Sequence, residues 1–402
     1  MKEKIERLLQ RYIDNREISG ASVLLYKDGR KLLRVDRGYA DIAAGIPYSE
    51  DTIIRLYSMT KPITSAAVMI LIERGLLDRL DPVSNYISSF ASQRYYAKDG
   101  CKKNVSRRMT IGDLLDMTGG MSYPDPATPA GMDADLVFRS IENRLDTKEQ
   151  MSTLEVAEAL GACTLAFDPG SDYLYSTCAD ILGAIVEKVS GVRFSQFLQK
   201  ELFDPLGMND TGFYVPDDRQ YRLARSYVPD SHLHGTPENE IPFTDDDIHE
   251  YTGNNLGIMS RMDREPAFES GGAGLASTLN DYNRFAQMLL NGGTAPSGQK
   301  ILSPATVEFM TAHRASAIAE AGFHKRFELQ GFSYANLLRI GTSPETCDTL
   351  MCPGEYGWDG WLGPYFANIP SKNATLLIAM QRTNSGTFSL TRRVRNIILA
   401  EI

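Results

Sequence analysis

Residues 58–77 read Ser-Met-Thr-Lys-Pro-Ile-Thr-Ser-Ala-Ala-Val-Met-Ile-Leu-Ile-Glu-Arg-Gly-Leu-Leu. From Ile63 to Leu77 only Thr64, Ser65, Glu73, Arg74 and Gly75 interrupt an apolar run, which predicts a buried helix. Pro62 fits its first turn, where a missing N–H costs no hydrogen bond. Ser58 then stands at the helix N-terminus, where free backbone amides and the helix dipole favour negative charge. Lys61, three residues on, returns to the same face. A lysine held there is partly desolvated, its pKa falls, and a neutral amine becomes available to take the serine proton. The plainer alternative makes Ser58 an N-cap and Lys61 a solvent-facing residue. Ser-x-x-Lys is a common spacing, and Ser297-Gly298-Gln299-Lys300 repeats it among Gly and Pro with no helix to hold it.

Two further segments carry chemistry. Asp168-Pro169-Gly170-Ser171-Asp172-Tyr173-Leu174-Tyr175-Ser176-Thr177 leads into a helix ending near Val189. Tyr175 falls just before that helix, and a lysine ammonium nearby would favour its phenolate, suiting it to shuttle a proton between nucleophile and leaving group. A loop tyrosine anchored by its hydroxyl is the plainer alternative, and Tyr173 is the nearest competitor for the role. Gly357-Trp358-Asp359-Gly360-Trp361 precedes a strand at 363–369. Glycine in a strand allows close backbone approach, so a substrate carbonyl can meet the amide of the next residue. The simpler reading is a tight turn with two core tryptophans.

Around these segments the chain reads as helix and antiparallel strand at both ends. Residues 1–18 predict an amphipathic helix whose recurring charges are unlike a secretory signal. Residues 21–26 and 31–37 flank Lys27-Asp28-Gly29-Arg30, and Asp-Gly predicts a hairpin. A second pair, 363–369 and 374–381, surrounds Pro370-Ser371-Lys372-Asn373, and Leu390, Val394, Ile397 and Ile398 stripe a final helix. Helical spacing recurs at 110–117, 154–160, 177–189 and 194–202, so residues 81–264 are expected to form a mostly helical lobe inserted into a sheet lobe of residues 1–80 and 265–402. Asp245-Asp246-Asp247 reads as a solvated acidic loop.

With 402 residues, 43% of them hydrophobic, the chain can bury a large core. Forty-two basic against fifty-one acidic residues give a net charge of -9 with no long basic run, which argues against a nucleic-acid partner. No stretch approaches the ~20 apolar residues that span a bilayer. Five scattered cysteines, Cys101, Cys163, Cys178, Cys347 and Cys352, fit free thiols in a reducing compartment, so the expected location is cytoplasmic. No His-Glu-x-x-His or Gly-x-Ser-x-Gly occurs, and His232, His234, His249, His313 and His324 read as loop and surface residues, so no metal or cofactor is expected.

Taken in order, Ser58-x-x-Lys61, Tyr175-Ser176-Thr177 and Trp358-Asp359-Gly360 resemble the serine β-lactamase and penicillin-binding-protein superfamily, whose pattern is Ser-x-x-Lys, Tyr-x-Asn and Lys-Thr-Gly. Residues 110–118, 202–208 (Leu-Phe-Asp-Pro-Leu-Gly-Met) and 271–275 (Gly-Gly-Ala-Gly-Leu) resemble further segments of the family. The resemblance implies an α+β, β-lactamase/DD-peptidase-like fold, with an antiparallel sheet flanked by helices. It implies a serine hydrolase acting through an acyl-enzyme on Ser58, with Lys61 and Tyr175 handling protons and the amides of Ser58 and Trp361 holding the oxyanion. Thr177, Trp358, Asp359 and Gly360 would then border a small-molecule substrate.

Three positions depart from the family pattern. Thr177 replaces the usual Asn, Trp358 removes the cation that would pair with a β-lactam carboxylate, and Gly119-Gly120 replaces Ser-Gly. Trp-x-Gly looks more like the family's class C-like carboxylesterases, so short-chain esters are the expected substrates, with Asp359 adding negative charge that disfavours anions. The alternatives are a D-amino-acid peptidase or amidase, whose substrate amine Asp359 would attract, a β-lactamase, and a catalytically silent binding relative.

Overall fold

In the computed structural model, residues 1–230, 247–312, 315–386 and 389–402 are described. His232, His234, His313 and the Asp245-Asp246 pair lie outside them; Asp247 is paired with Arg16 at 3.0 Å. An eight-stranded antiparallel sheet is assembled from both ends of the chain. Its order is Phe332–Ala335, Leu338–Gly341, Tyr356–Asp359, Tyr365–Ile369, Ala374–Ala379, Gly20–Lys27, Arg30–Asp41 and Ile46–Pro47. The first hairpin closes at Lys27↔Arg30, with Asp28 and Gly29 both at positive φ, as a two-residue turn demands. The second pairs Ile369 with Ala374.

Strand residues alternate between two cores, because successive side chains leave a strand on opposite faces. Val23, Leu25, Leu376, Ile378, Tyr365 and Ala367 pack under the two terminal helices, Lys2–Asp14 and Ser389–Leu399, which contribute Ile5, Leu9, Tyr12, Leu390, Val394 and Ile398. Leu24, Leu377, Phe366 and Trp358 face the opposite core. That core holds the helices Thr60–Glu73, Cys178–Ser190 and Leu279–Leu290.

The helix Thr60–Glu73 is buried all round from Thr60 to Leu71. A helix with no polar face has no place at a surface, so it becomes the centre of the molecule. The segment before it, Ile53–Arg55, pairs with Ala276–Thr278, which fixes where the helix starts. The expected helices at 110–117, 154–160 and 177–189 form at Ile111–Leu115, Thr153–Gly161 and Cys178–Ser190. At 194–202 the α-helix stops at Leu198 and a wider turn follows through Phe203. The helices Leu279–Leu290 and Ala317–Phe327 and the strands Phe332–Ala335 and Leu338–Gly341 were not expected. His324 lies in the helix Ala317–Phe327, bonded to Phe332 O at 2.6 Å, and His249 lies in the short strand Ile248–Glu250. The second Ser-x-x-Lys, at 297–300, lies in an exposed turn.

Truncating a side chain in the central helix leaves a void that its neighbours cannot fill. Leu71→Ala, at a site 1% exposed, is expected to lower unfolding free energy by about 2–5 kcal/mol, measured by urea denaturation against wild type.

Candidate active site

Ser58 follows a sharp backbone bend. Tyr57 has φ +44°, in the left-handed region that bulky side chains rarely adopt. The turn Tyr57–Met59 then runs directly into the helix Thr60–Glu73. Packing holds the bend: the Tyr57 ring meets Trp361 edge-on with centroids 5.0 Å apart, and Tyr282 Oη donates to Met59 O at 2.9 Å. Ser58 is left half-buried at the helix entrance.

The strand Tyr356–Asp359 ends against this bend. A Cβ on Gly360 would lie 2.2 Å from the Leu56 carbonyl oxygen, so only glycine allows the approach. Trp361, the next residue, rests between Tyr57 and Tyr251, and its indole N–H donates to Asn384 Oδ1. Among the described residues no protein acceptor takes the backbone N–H of Ser58 or of Trp361.

Lys61 is fully buried, yet its three protons have three acceptors. Its Nζ donates to Ser58 Oγ at 3.2 Å, to Tyr123 Oη at 3.0 Å and to Gly272 O at 2.7 Å. Burial lowers its pKa to about 8, against the opposing pull of Asp180 and, more weakly, Cys178 and Asp359. Tyr123 escaped the sequence reading. It follows the turn at Gly119-Gly120, where Gly120 has φ +79° and its Cβ would strike Phe167 O at 2.5 Å. A hydroxyl-bearing aromatic just past such a glycine turn is the signal that would have found it.

Tyr175 lies beneath the lysine, with Nζ 4.7 Å from its ring centroid. Its hydroxyl accepts from Trp358 Nε1 at 3.0 Å. Burial pushes the Tyr175 phenol well above its usual range, with hydrogen bonds to Ser58 and Trp358 only partly opposing this. The shift runs against the expected phenolate: desolvation, the largest cause, favours the neutral phenol, and the charges of Asp359 and Asp180 add to it. Tyr173 turns elsewhere, into a ring cluster with Phe323 and Tyr334.

Trp358 and Asp359 are consecutive strand residues and so project to opposite faces. Trp358 is 1% exposed and packs against Tyr175, Tyr334 and Phe327, so what it offers Tyr175 is an N–H rather than an open apolar wall. Asp359 is bound to Arg339 at 3.0 Å in a buried pair. Its charge is matched within the protein, which corrects the expectation of a free carboxylate acting on substrate. Thr177 precedes the helix Cys178–Ser190, and its hydroxyl is buried without a protein partner among the described residues. A Cβ on Gly119 would lie 3.0 Å from Met109 Sδ, the far end of a flexible side chain, so packing leaves the Gly119 departure without an explanation. Among the described residues no group of three or more His, Cys, Asp or Glu is placed to hold a metal, and no helix is long and apolar enough to cross a membrane.

A sequence profile of the β-lactamase family matches residues 5–400. The chain belongs to the β-lactamase family. An uncharacterized protein of Mycobacterium tuberculosis is 31% identical over 383 residues, covering 90% of this chain and 86% of its own. Esterase EstB of Burkholderia gladioli is 26% identical over 402 residues, covering 99% of this chain and 95% of its own. EstCE1, described as a hydrolase with promiscuous acyltransferase activity, shares the fold with a TM-score of 0.78 at 24% identity, over 99% of this chain and 98% of its own. The chain is thus a β-lactamase-family serine hydrolase in fold and lineage.

Trp358→Phe removes the indole N–H that Tyr175 accepts and, because phenyl is smaller than indole, also leaves part of a buried ring site empty. The lost hydrogen bond is expected to lower kcat/KM roughly tenfold and the void to lower the thermal transition, read from ester hydrolysis and a melting curve on one preparation.

Proposed function

We propose that this protein is a carboxylesterase for neutral short-chain esters, working through an acyl-enzyme on Ser58. The observation that carries the reading is a fully buried Lys61 amine, its pKa lowered to about 8, in hydrogen-bond contact with Ser58 Oγ at 3.2 Å. Neutral Lys61 takes the Ser58 proton as Oγ bonds to the ester carbonyl carbon. The unpartnered amides of Ser58 and Trp361 face the charge that develops on the carbonyl oxygen. The neutral Tyr175 phenol gives its proton to the departing alkoxide and regains one from the Lys61 ammonium. Water then attacks the acyl-enzyme by the reverse proton path, releasing the acid and restoring the Ser58 hydroxyl.

Substrate class follows from the departures. Trp358 stands where relatives of the family carry a lysine, and its indole N–H is committed to Tyr175. A β-lactam carboxylate has no cation to meet there, whereas a neutral ester needs only the amides and the proton pair. Similarity to Esterase EstB supports the same choice. Because Asp359 is committed to Arg339, it gives a D-amino-acid substrate no free carboxylate, and the ester reading stands ahead of the peptidase one.

Two experiments test this. A fluorophosphonate should add its mass to the peptide containing Ser58, and folded Ser58→Ala should be unlabelled; then kcat/KM is compared for a butyrate ester, nitrocefin and a D-alanyl amide. The ester should lead by a wide margin, and nitrocefin as the best substrate would overturn the reading of Trp358. In the second, kcat/KM for the ester is followed against pH. Only the unprotonated amine can act as base, so the rate should rise with pH, reach half its plateau near the Lys61 value of about 8, and level above it. A rate that falls through that range would remove Lys61 as the base.

A further inference from the structure

Lys61 in its ammonium form is a buried cation, and the groups touching it are all neutral. Tyr123 and Tyr175 are phenols held protonated by burial, and the buried Cys178 thiol is pushed up to about 12. Asp359, on the strand side, is committed to Arg339. That leaves Asp180, 4% exposed, in the first turn of the helix Cys178–Ser190. Burial raises the Asp180 pKa, opposed by its hydrogen bond with Ser270 and by the charge of Lys61, and Asp180 is in turn the strongest charge acting on Lys61.

The two do not touch; a chain of hydrogen bonds through one peptide group joins them. Lys61 Nζ donates to the Gly272 carbonyl at 2.7 Å. The N–H at the other side of that same peptide, on Ala273, donates to Ser270 Oγ at 3.0 Å. Ser270 Oγ in turn donates to Asp180 Oδ1 at 2.5 Å. Each bond polarises the next, so negative charge at one end strengthens the acceptor at the other.

The Gly271-Gly272 turn is pinned where this path needs it. A Cβ on Gly271 would fall 2.4 Å from Ala179 O, and one on Gly272 would fall 2.8 Å from Asp180 Oδ2. The Gly272 N–H meets Asp180 Oδ1 at 3.1 Å, and Thr64, one turn beyond Lys61, donates to Gly271 O at 2.7 Å. Two consecutive carbonyls thus receive two donors from the helix that carries Lys61.

We propose that Asp180 is a positioning residue that acts on Lys61 through Ser270 and the Gly272–Ala273 peptide, holding the amine against Ser58 Oγ and balancing the charge of its ammonium form. The inference rests on Lys61 being the base described above. It is tested by the pH dependence of kcat/KM for a butyrate ester in wild type, Asp180→Asn and Ser270→Ala. In Asp180→Asn, which keeps the shape and loses the charge, the ammonium is less stable, so the rising limb should move to lower pH by about one unit, and the plateau should fall at least tenfold. Ser270→Ala keeps the carboxylate and its Gly272 contact; its plateau should fall with a smaller limb shift in the same direction, and it decides the matter if Asp180→Asn does not fold. A limb left at the wild-type pH, however low the plateau, overturns the proposal while leaving Lys61 as base. A Lys61→Ala enzyme with the wild-type profile overturns both.

Discussion

A lysine with no access to water must find acceptors for all three of its protons, and Lys61 finds them on three separate parts of the chain. Ser58 Oγ lies one turn before it, Tyr123 Oη comes from the loop after a glycine turn, and Gly272 O comes from a turn packed on the helix Cys178–Ser190. Burying an unpaired cation costs several kcal/mol or more, so each of these segments is constrained by the others. The bend at Tyr57, the absence of side chains at Gly271, Gly272 and Gly360, and the all-round burial of the central helix accompany the closing of protein around that amine.

The same burial sets the chemistry. Removing water lowers the lysine pKa and raises those of the nearby phenols, so the two kinds of group move apart in proton affinity. Once pH rises through about 8, a neutral amine beside a neutral phenol is an acid and base pair. Charges that would upset the pairing are neutralised inside the protein, as with Asp359 and Arg339. The aromatic cluster of Tyr175, Trp358, Tyr334 and Phe327 supplies the low-dielectric wall that makes both shifts possible.

How much of this could be read in advance depended on sequence separation. The hairpin at Asp28-Gly29 and the entry of the helix after Ser58 are local, governed by turn chemistry and spacing within a few residues. The strand pair around Pro370 was legible for the same reason, whereas the strands Phe332–Ala335 and Leu338–Gly341 were not. They are four residues each and buried on every residue, so they carry no alternation to mark them. The helix Leu279–Leu290 was missed although it is amphipathic, with a capping Thr278.

What the sequence determined by itself, then, was the Ser58–Lys61 spacing at the head of an apolar helix, the Tyr175 loop, the glycine beside Trp361 and the antiparallel ends, all set by neighbours in the chain. What only the tertiary structure decided was who touches whom. Tyr123 reaches Lys61 across 62 residues, Gly272 across 211, and Trp358 reaches Tyr175 across 183. The protonation of Tyr175 and the pairing of Asp359 belong with these. Both depend on desolvation and on which charge lies opposite, and neither quantity exists until the chain has closed around the site.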